Sequence, residues 1–391
     1  LTLILSLLLI STGVIGYSII QYQRQSPGIQ NNFVRVKTIT SRGTTAWFLA
    51  LTLMGFYILL YFFPQSLGLA ESGNTGFIAL FDPFSEWIKN KPASQWFVYG
   101  TLYTLAILLF GIKFILKYKG NKYQQIRTVS VMFFQLCFAF LIPEVLERLN
   151  QPSMDLKNMW PLNYYFFFDW NLDKLFQSGT LGLFMLGWSI ALMLVISPVL
   201  TYFFGKRWYC SWVCGCGGLA ETAGDPFRHL ADPSLKAWKI ERWMVHSVLV
   251  FVVLMTLLVL YTYFTGNSHI LFLNSYALRE GYGFFIGAIF SGVIGVGFYP
   301  LLGPRVWCRF GCPMAAILGL QQRYFSRFRI TTNGGQCISC GNCSTYCEMG
   351  IDVRHYAQRG QNIVRASCVG CGICAAVCPR GVLKLENGSV D

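Results

Sequence analysis

The sequence predicts an α-helical membrane protein that crosses the bilayer several times and ends in a small α+β domain. The first observation behind this prediction is the composition. Of the 391 residues, 54% are hydrophobic and only 12% are charged, whereas about a quarter of the residues of a soluble domain are charged. The second observation is that thirteen of the fourteen cysteines fall into four groups in the second half of the chain. The apolar stretches predict the helices, and the grouped cysteines predict metal chemistry.

Seven stretches are long and apolar enough to cross a bilayer, which takes about twenty residues each. The fourth stretch is interrupted by Gln135 and Pro143. No positively charged segment precedes the first stretch, so we expect a true membrane helix there rather than a cleavable signal peptide, in a chain whose start lies before Leu1. The seven stretches lie near residues 1–20, 45–63, 96–116, 128–146, 180–204, 244–264 and 282–302.

The charges of the connecting loops alternate along the chain. The first and third loops carry cations and no acid, whereas the fourth loop is poor in cations and rich in aspartates. By the positive-inside rule, we expect an amino terminus outside the cell membrane and a cytoplasmic C-terminal domain. The expected location of the protein is the inner (cytoplasmic) membrane. The net charge of +14 does not indicate a nucleic-acid partner, because the cations flank apolar segments. The first-loop cations are Arg24, Arg35, Lys37 and Arg42, the third-loop cations are Lys113, Lys117, Lys119, Lys122 and Arg127, and the fourth-loop acids are Asp155, Asp169 and Asp173.

Eight cysteines near the C-terminus form two runs of the pattern C-x2-C-x2-C-x3-C. With this spacing, three thiolates of one run bind one cubane cluster and the fourth thiolate binds the neighbouring cluster. The sequence therefore predicts two [4Fe-4S] clusters in a two-cluster ferredoxin-like domain. The crossed assignment gives Cys337, Cys340, Cys343 and Cys378 to the first cluster and Cys368, Cys371, Cys374 and Cys347 to the second.

Zinc sites and disulfides are the alternatives for these eight cysteines. Zinc normally takes two C-x2-C pairs, which would leave the third and fourth cysteines of each run unused. Disulfides need an oxidising compartment, which the predicted cytoplasmic position does not offer. Gly341, Gly370 and Gly372 are expected to let backbone amides turn toward the sulfurs. The runs differ just after the fourth cysteine, where Glu348 of the first run matches Pro379 of the second.

A further set of cysteines lies in an internal repeat, in which segments 205–214 and 303–312 match at positions 98 residues apart. If each C-x3-C pair lies on one helix, its two cysteines share a face. Two facing pairs would then present four thiolates to one additional iron-sulfur centre, with Cys216 as a spare ligand, since Met314 breaks the symmetry at that place. A redox-active disulfide and reduced, idle cysteines in structural loops are the alternatives. The four cysteines are Cys210, Cys214, Cys308 and Cys312.

Residues from about 180 to the end resemble the NapH and NosR type of membrane iron-sulfur protein, in which R-x-x-C-x3-C-P motifs follow membrane helices and a double ferredoxin module closes the chain. The motif ending at Pro313 fits fully, whereas the first motif has Gly215 and Cys216 in place of the usual Pro-Phe. The resemblance implies quinol oxidation or electron delivery to an external reductase, with a quinone as candidate cofactor. NosR-like members carry an external flavin-binding domain ahead of their helices, so flavin is expected only if such a domain precedes Leu1.

The predicted organisation is a transmembrane helical domain, residues 1–329, with cysteine motifs at 205–219 and 303–317, followed by a cytoplasmic two-cluster ferredoxin-like domain, residues 330–391. The predicted function is membrane-bound electron transfer between a cytoplasmic or quinol donor and a membrane or external redox partner. The expected partners are the membrane and redox proteins, in a stable multi-subunit or a transient complex. An assembly factor that reduces a metal or thiol while another enzyme matures, and a wiring subunit of a larger respiratory complex, are the alternatives.

Four other features have more than one interpretation each. The aromatic stretch 159–170 is expected to form an interfacial belt, with a quinone pocket or a partner-docking surface as the alternatives. The basic stretch 315–329 is expected to lie on the inner leaflet as an amphipathic helix, with partner binding as the alternative. His246 is expected to make an interfacial hydrogen bond, and quinone protonation is the alternative. Glu144, Glu147 and Arg148 either relay protons or lie at the membrane interface as helix-end residues.

Overall fold

The computed structural model describes residues 2–23, 41–270 and 273–388. Within these residues, seven helices are long and apolar enough to cross a membrane, and a small antiparallel sheet lies near the C-terminus. The predicted fold class is therefore confirmed. Arg24, Arg35 and Lys37 of the first predicted loop lie outside the described residues. The membrane helices are Thr2–Gln23, Thr44–Phe62, Gln95–Lys117, Lys122–Arg148, Gly179–Phe204, Leu235–Thr265 and Ser275–Gly297.

Capping residues set the first residues of the sixth and seventh membrane helices, which begin earlier than predicted. The sixth helix begins at Leu235 because the Ser234 side chain accepts a hydrogen bond from the Ala237 amide at 3.2 Å. The seventh helix begins at Ser275, directly after Asn274, whose side chain accepts bonds from two amides of the first turn. Hydropathy locates the apolar centre of a helix, whereas its start depends on side chains that satisfy the first amides.

Two prolines lie inside membrane helices without ending them. Pro143 follows the π-helical segment Phe134–Leu141, and Pro198 follows the π-helical segment Leu192–Ile196. Proline removes a backbone N–H and crowds the carbonyl one turn earlier, and a wider π-helical turn accommodates both effects. Gln135, the other interruption of the fourth predicted stretch, donates from Nε2 to Thr104 Oγ1 at 3.1 Å. The fourth membrane helix therefore continues through both residues.

The chain forms two compact units. The first unit comprises Leu1–Lys157 and Ser211–Pro226 and contains the first four membrane helices. The second unit comprises Asn158–Cys210 and Phe227–Asp391 and contains the other three membrane helices and both C-terminal cysteine runs. The predicted domain boundary between residues 329 and 330 falls within the second unit and stays a prediction.

Short helices and two small sheets complete the described part of the chain. Strands β1 (His269–Ile270) and β2 (Leu273–Asn274) pair antiparallel, as do β3 (Phe328–Thr332) and β4 (Leu383–Asn387). The pairing of β3 with β4 brings together the two ends of the segment that holds both cysteine runs. The short helices are Pro64–Leu67, Gly76–Ala79, Asp82–Lys89, Asp169–Gln177, Arg207–Cys210, Gly215–Thr222, Asp225–Leu230, Tyr299–Leu302, Trp307–Gly311, Pro313–Phe325, Gly334–Gln336, Asn342–Thr345, Val353–Gln358 and Ile373–Ala376.

Two segments that were expected at the membrane interface pack largely inside the second unit. In the aromatic stretch, Phe166 is buried, and Trp160 Nε1 donates to Thr256 Oγ1 of the sixth membrane helix at 2.9 Å. The helix Pro313–Phe325 buries Leu318 among other residues and packs against the fifth and sixth membrane helices. Apolar packing partners within the protein account for both positions, and a sequence pattern alone does not distinguish such partners from lipid.

A buried lysine joins the helix Asp82–Lys89 to the end of the fourth membrane helix in the first unit. Lys89 Nζ lies 3.0 Å from Glu144 Oε2 and 3.3 Å from Glu147 Oε2, and only 4% of the Lys89 side chain is exposed. Lys91 also pairs with Glu147, at 3.4 Å, but 49% of its side chain is exposed. The two glutamates therefore have a structural role in holding this helix.

We expect Lys89→Met to destabilise the protein by about 3 kcal/mol, because it removes the buried counter-charge of the largely buried Glu144. Lys91→Met is the matched control, and the loss of this exposed pair should cost at most about 1 kcal/mol. Thermal unfolding of both variants in the same detergent measures the difference. Equal losses of stability in the two variants would contradict a structural role for the buried pair.

Candidate metal centres

The two C-terminal cysteine runs fold with the same local backbone geometry. In both runs, φ is positive just before the second cysteine, just after it, and three residues after the fourth. This conformation favours glycine, and it turns successive amides toward the inside of the loop. The third cysteine of each run then lies on a short helix. The matched positions are Ser339 and Gly370, Gly341 and Gly372, and Gly350 and Gly381, with φ between 58° and 83°.

The eight cysteines surround two small cavities, with four cysteines at each. Cys378 of the second run joins three cysteines of the first run, and Cys347 of the first run joins three of the second. The crossed assignment groups the cysteines in the same way. The first cavity is lined by Cys337, Cys340, Cys343 and Cys378, and the second cavity by Cys347, Cys368, Cys371 and Cys374.

Backbone amides donate hydrogen bonds to the cysteine sulfurs at both cavities. The Val382 amide lies 3.4 Å from Cys378 Sγ, and the Ser344 amide donates to Cys343. At the other cavity, Cys347 accepts from the amides of Ile351 and Met349, and Cys368 accepts from Gly370. Such donors stabilise negative charge on thiolates and on the inorganic sulfides that thiolates ligate.

Burial keeps several of these thiols neutral when no metal is bound. It raises the pKa of Cys343 to about 11 and the pKa of Cys347 to about 12, and it also raises the pKa of Cys368 and Cys374. Neighbouring thiols add to the shift, since Cys378 acts on Cys343 across the two runs. A cluster that binds here must displace these protons, so its binding should strengthen as the pH rises.

The donor set at each cavity fits a [4Fe-4S] cluster. Among the described residues, no three His, Cys, Asp or Glu side chains are close enough together to hold a single metal ion. A cubane cluster holds its four thiolates around a body larger than one ion. Four thiols around a cavity, with amides directed at their sulfurs, match that requirement.

The two C-x3-C motifs also share a backbone geometry, but each pair does not lie on one helix as expected. Cys210 ends the helix Arg207–Cys210, whereas Cys214 caps the start of Gly215–Thr222. In the second motif, Cys308 lies in the π-helical turn Trp307–Gly311, and Cys312 caps the start of Pro313–Phe325. Cys312 has an extended backbone between the two helices, and Pro313 occupies the first position of the new helix, where its missing N–H costs nothing.

A glycine precedes each motif, and its backbone has a conformation that other residues almost never adopt. Gly205 has φ +67° and ψ −179°, and Gly303 has φ +91° and ψ 170°. A Cβ at Gly205 would lie 2.6 Å from Gln322 Oε1, and one at Gly303 would lie 3.0 Å from the Ala231 amide nitrogen. The internal repeat therefore extends from the residue pattern to the backbone.

The four C-x3-C cysteines are divided between the two units. Cys210, Cys308 and Cys312 belong to the second unit, whereas Cys214 belongs to the first. Hydrogen bonds from the Cys216 thiol and from the amides of Gly217 and Cys216, together with the charge of Lys157, lower the pKa of Cys214 to about 6 despite its burial. Cys216 thus contacts Cys214. That the four C-x3-C cysteines share one centre stays a prediction.

Glu348 forms a buried ionic group that the sequence did not reveal. Its side chain is 0% exposed, as are those of its two partners, Arg228 and Arg305. Arg228 Nη1 lies 2.5 Å from Glu348 Oε2, and Arg305 Nη2 lies 2.9 Å from Oε1. The only signal in the sequence was the departure of Glu348 from the proline at the matched position of the second run.

Arg305 connects this carboxylate to the C-x3-C motifs within the second unit. Its Nη1 donates to the Cys210 carbonyl oxygen at 3.3 Å and lies 3.6 Å from Cys308 Sγ. Burial opposes its charge, but Glu348 and Cys308 together raise the pKa of Arg305 well above its usual value. Because Glu348 follows Cys347 and lines the second cavity, one guanidinium links that cavity to both motifs.

Two family models match these cysteine segments. A 4Fe-4S dicluster domain matches residues 336–383, which contain all eight cysteines of the C-terminal runs. A 4Fe-4S binding domain matches twice, at residues 186–232 and 283–332, and each match contains one C-x3-C motif. The matches support iron-sulfur clusters as cofactors of this chain. No solved structure matches the chain.

Curated relatives match part of the chain at low identity. The Escherichia coli (strain K12) protein named "Putative electron transport protein YccM" is 25% identical over 170 residues, which cover 42% of this chain and 47% of YccM. The Methanocaldococcus jannaschii protein named "Uncharacterized protein MJ0749" is 26% identical over 165 residues, which cover 41% of this chain and 58% of that protein. The chain thus spans about half the length of these relatives.

The crossed assignment predicts which pairs of Cys→Ser substitutions remove one cluster and which remove both. Cys347→Ser with Cys371→Ser changes a single cavity, so about four of about eight irons in the C-terminal segment should remain. Cys347→Ser with Cys340→Ser changes both cavities, so about none should remain. Iron analysis of the two double variants in a Cys308→Ser background isolates the C-terminal clusters. The reverse order of iron contents would show that each run binds its own cluster.

Glu348→Gln should lower stability by about 3–5 kcal/mol, because it leaves two buried guanidiniums without their counter-charge. Glu386→Gln is the control: Glu386 is exposed and accepts a hydrogen bond from Thr331 Oγ1 at 2.7 Å, so its loss should cost about 1 kcal/mol or less. The temperature at which cluster absorbance is lost reports both effects. If the two variants lose absorbance at the same temperature, the buried ionic group has no such role.

Proposed function

We propose that the chain is a membrane-bound iron-sulfur protein that passes single electrons between two C-terminal [4Fe-4S] clusters and a redox partner in or beyond the membrane. The observation that carries the proposal is the pair of cavities, each lined by four cysteines, in the segment that matches a 4Fe-4S dicluster domain. A chain with seven apolar helices and clusters of this type suits one-electron transport at a membrane. The name of the relative "Putative electron transport protein YccM" agrees with this proposal.

The proposed exit for electrons is the wall of the second cavity that faces Arg305. Glu348 and Cys347 are adjacent in the chain, and Arg305 joins Glu348 to the Cys210 carbonyl and the Cys308 sulfur. A continuous chain of contacts within one unit therefore leads from the second cluster to cysteines of both C-x3-C motifs.

Cys210, Cys214, Cys308 and Cys312 are proposed to hold a further iron-sulfur centre, with Cys216 as a spare ligand. The two matches to a 4Fe-4S binding domain support this part of the proposal, because each contains one motif. The contact between Cys216 and Cys214 also supports a role for Cys216 near the ligands.

The finer assignment rests on the resemblance to the NapH and NosR type. Under it, a quinol or a cytoplasmic protein donates electrons, and a membrane or external reductase accepts them. The charge alternation supports an inner-membrane protein with an external amino terminus and a cytoplasmic C-terminal domain. The proposed domains are residues 1–329 for the membrane part and residues 330–391 for the ferredoxin-like part.

A redox titration followed by EPR, with iron analysis, tests the proposed function on the purified chain. We expect reversible one-electron signals from two [4Fe-4S] clusters and from a third centre. If the third centre is also a cubane, the protein should contain about twelve irons. Cys308→Ser should lose only the third centre. Thr52→Ser, a change in the second membrane helix, is the control and should keep every signal. About eight irons without a third signal would overturn the additional centre. Iron that does not cycle reversibly would overturn electron transfer itself.

A further inference from the structure

A third cavity, with a volume of about 420 Å³, lies in the second unit, where Cys308 is part of its lining and Met349 also lines the cavity of Cys347 and Cys368. Its wall is formed by the first turns of the sixth membrane helix, by the helix Pro313–Phe325 and by residues 364–367. Sites for small molecules and cofactors typically have volumes of about 300–1,000 Å³. The cavity therefore has room for a ligand group, and it lies at the start of a membrane helix.

Lys206 lines this cavity and is only 1% exposed. Its backbone amide donates to Gln322 Oε1 at 2.8 Å, but within the described part of the chain its ammonium group makes no hydrogen bond or ion pair. An ammonium group that is buried without a counter-charge costs several kcal/mol. A bound anion would lower that cost, in addition to the negative charge that the nearby Cys368 thiolate brings when a cluster is bound.

Three arginines add positive charge to the same wall. Arg242 and Arg365 both stack on Trp238, with their guanidinium carbons 5.1 and 4.9 Å from the ring centre. Arg323 lies further along the wall. Over residues 2–23, 41–270 and 273–388, none of the three forms an ion pair. The cavity thus concentrates positive charge on side chains that stacking holds in place.

Glu241, the one acidic residue of the cavity wall, does not neutralise these cations. Its Oε2 accepts a hydrogen bond from Arg309 Nε at 2.7 Å, so this pair is internally balanced. His246 lies one turn after Arg242 and bonds through Nδ1 to the Arg242 carbonyl oxygen at 2.6 Å. The wall therefore keeps an excess of positive charge, and it also contains apolar side chains such as Val245 and Leu320.

We propose that this cavity binds a phosphate group, carried by a phospholipid headgroup or by a soluble phosphate. Guanidinium groups present paired N–H donors that match phosphate oxygens, and the ammonium of Lys206 supplies a point charge deeper in the wall. Apolar lining residues such as Val245 and Leu320 suit the first methylene groups of a phospholipid's acyl chains. Bound phosphate would also order the start of the sixth membrane helix against the helix Pro313–Phe325.

Thermal unfolding of the intact protein in a phosphate-free detergent tests the proposal. We expect dioleoylphosphatidylglycerol to raise the unfolding midpoint by about 3 °C or more, whereas dioleoylglycerol, which has the same chains and no phosphate, should have no effect. Inorganic phosphate forms the third arm. A shift with inorganic phosphate alone identifies a soluble source, and a shift with the phospholipid alone identifies a lipid.

Lys206→Met and Arg365→Gln should both abolish the shift, while Lys239→Met, which changes an exposed lysine of the sixth membrane helix, should keep it. Lys206 also acts on the Cys368 thiol, so iron content is measured for each variant, and Arg365→Gln decides the outcome if Lys206→Met loses iron. No shift with either phosphate compound, or a wild-type shift in Arg365→Gln, would overturn the site.

Discussion

The ionic group of Glu348 with Arg228 and Arg305 is the interaction on which the second unit depends. Three charged side chains that are fully buried together stabilise a structure only when all of them are paired. Arg228 and Arg305 lie in segments that precede and follow the seventh membrane helix, and Glu348 lies in the first C-terminal cysteine run. The group therefore holds the second cluster cavity against the membrane part of its own unit. Its net charge is +1, which an anionic cluster next to Cys347 would offset.

The internal repeat gives that cavity a second contact, at its lining residue Gly370. Arg207 and Arg305 occupy matched positions, two residues after glycines with positive φ. Arg305 reaches Glu348, whereas the Arg207 guanidinium lies 4.3 Å from the ring centre of Phe328, and a Cβ on Gly370 would lie 2.7 Å from Arg207 Cβ. Each copy of the repeat thus places an arginine on the second cavity, one by charge and one by packing.

The sequence could predict features that depend on local pattern. Seven helices follow from apolar length, and eight cysteines at fixed spacing predict two cubane clusters, because both signals lie within short segments. The role of Glu348 could not be predicted, since its partners are 120 and 43 residues away in the chain. The expected helical face of each C-x3-C pair was wrong because Cys214 and Cys312 each begin a new helix. The cation-lined cavity required the fold, since Lys206 and Arg365 are distant in sequence.

The central claim is that electrons leave through the wall of the second cavity that faces Arg305, where Glu348 lies. The rate at which a quinone oxidises the reduced clusters tests this claim. Dithionite-reduced protein in nanodiscs is mixed in a stopped-flow instrument with decylubiquinone, or with ferricyanide as a soluble oxidant, at a temperature at which Glu348→Gln retains its full iron content. We predict that Glu348→Gln slows oxidation by the quinone and leaves oxidation by ferricyanide unchanged. Equal quinone rates in the variant and the wild type would contradict the claim.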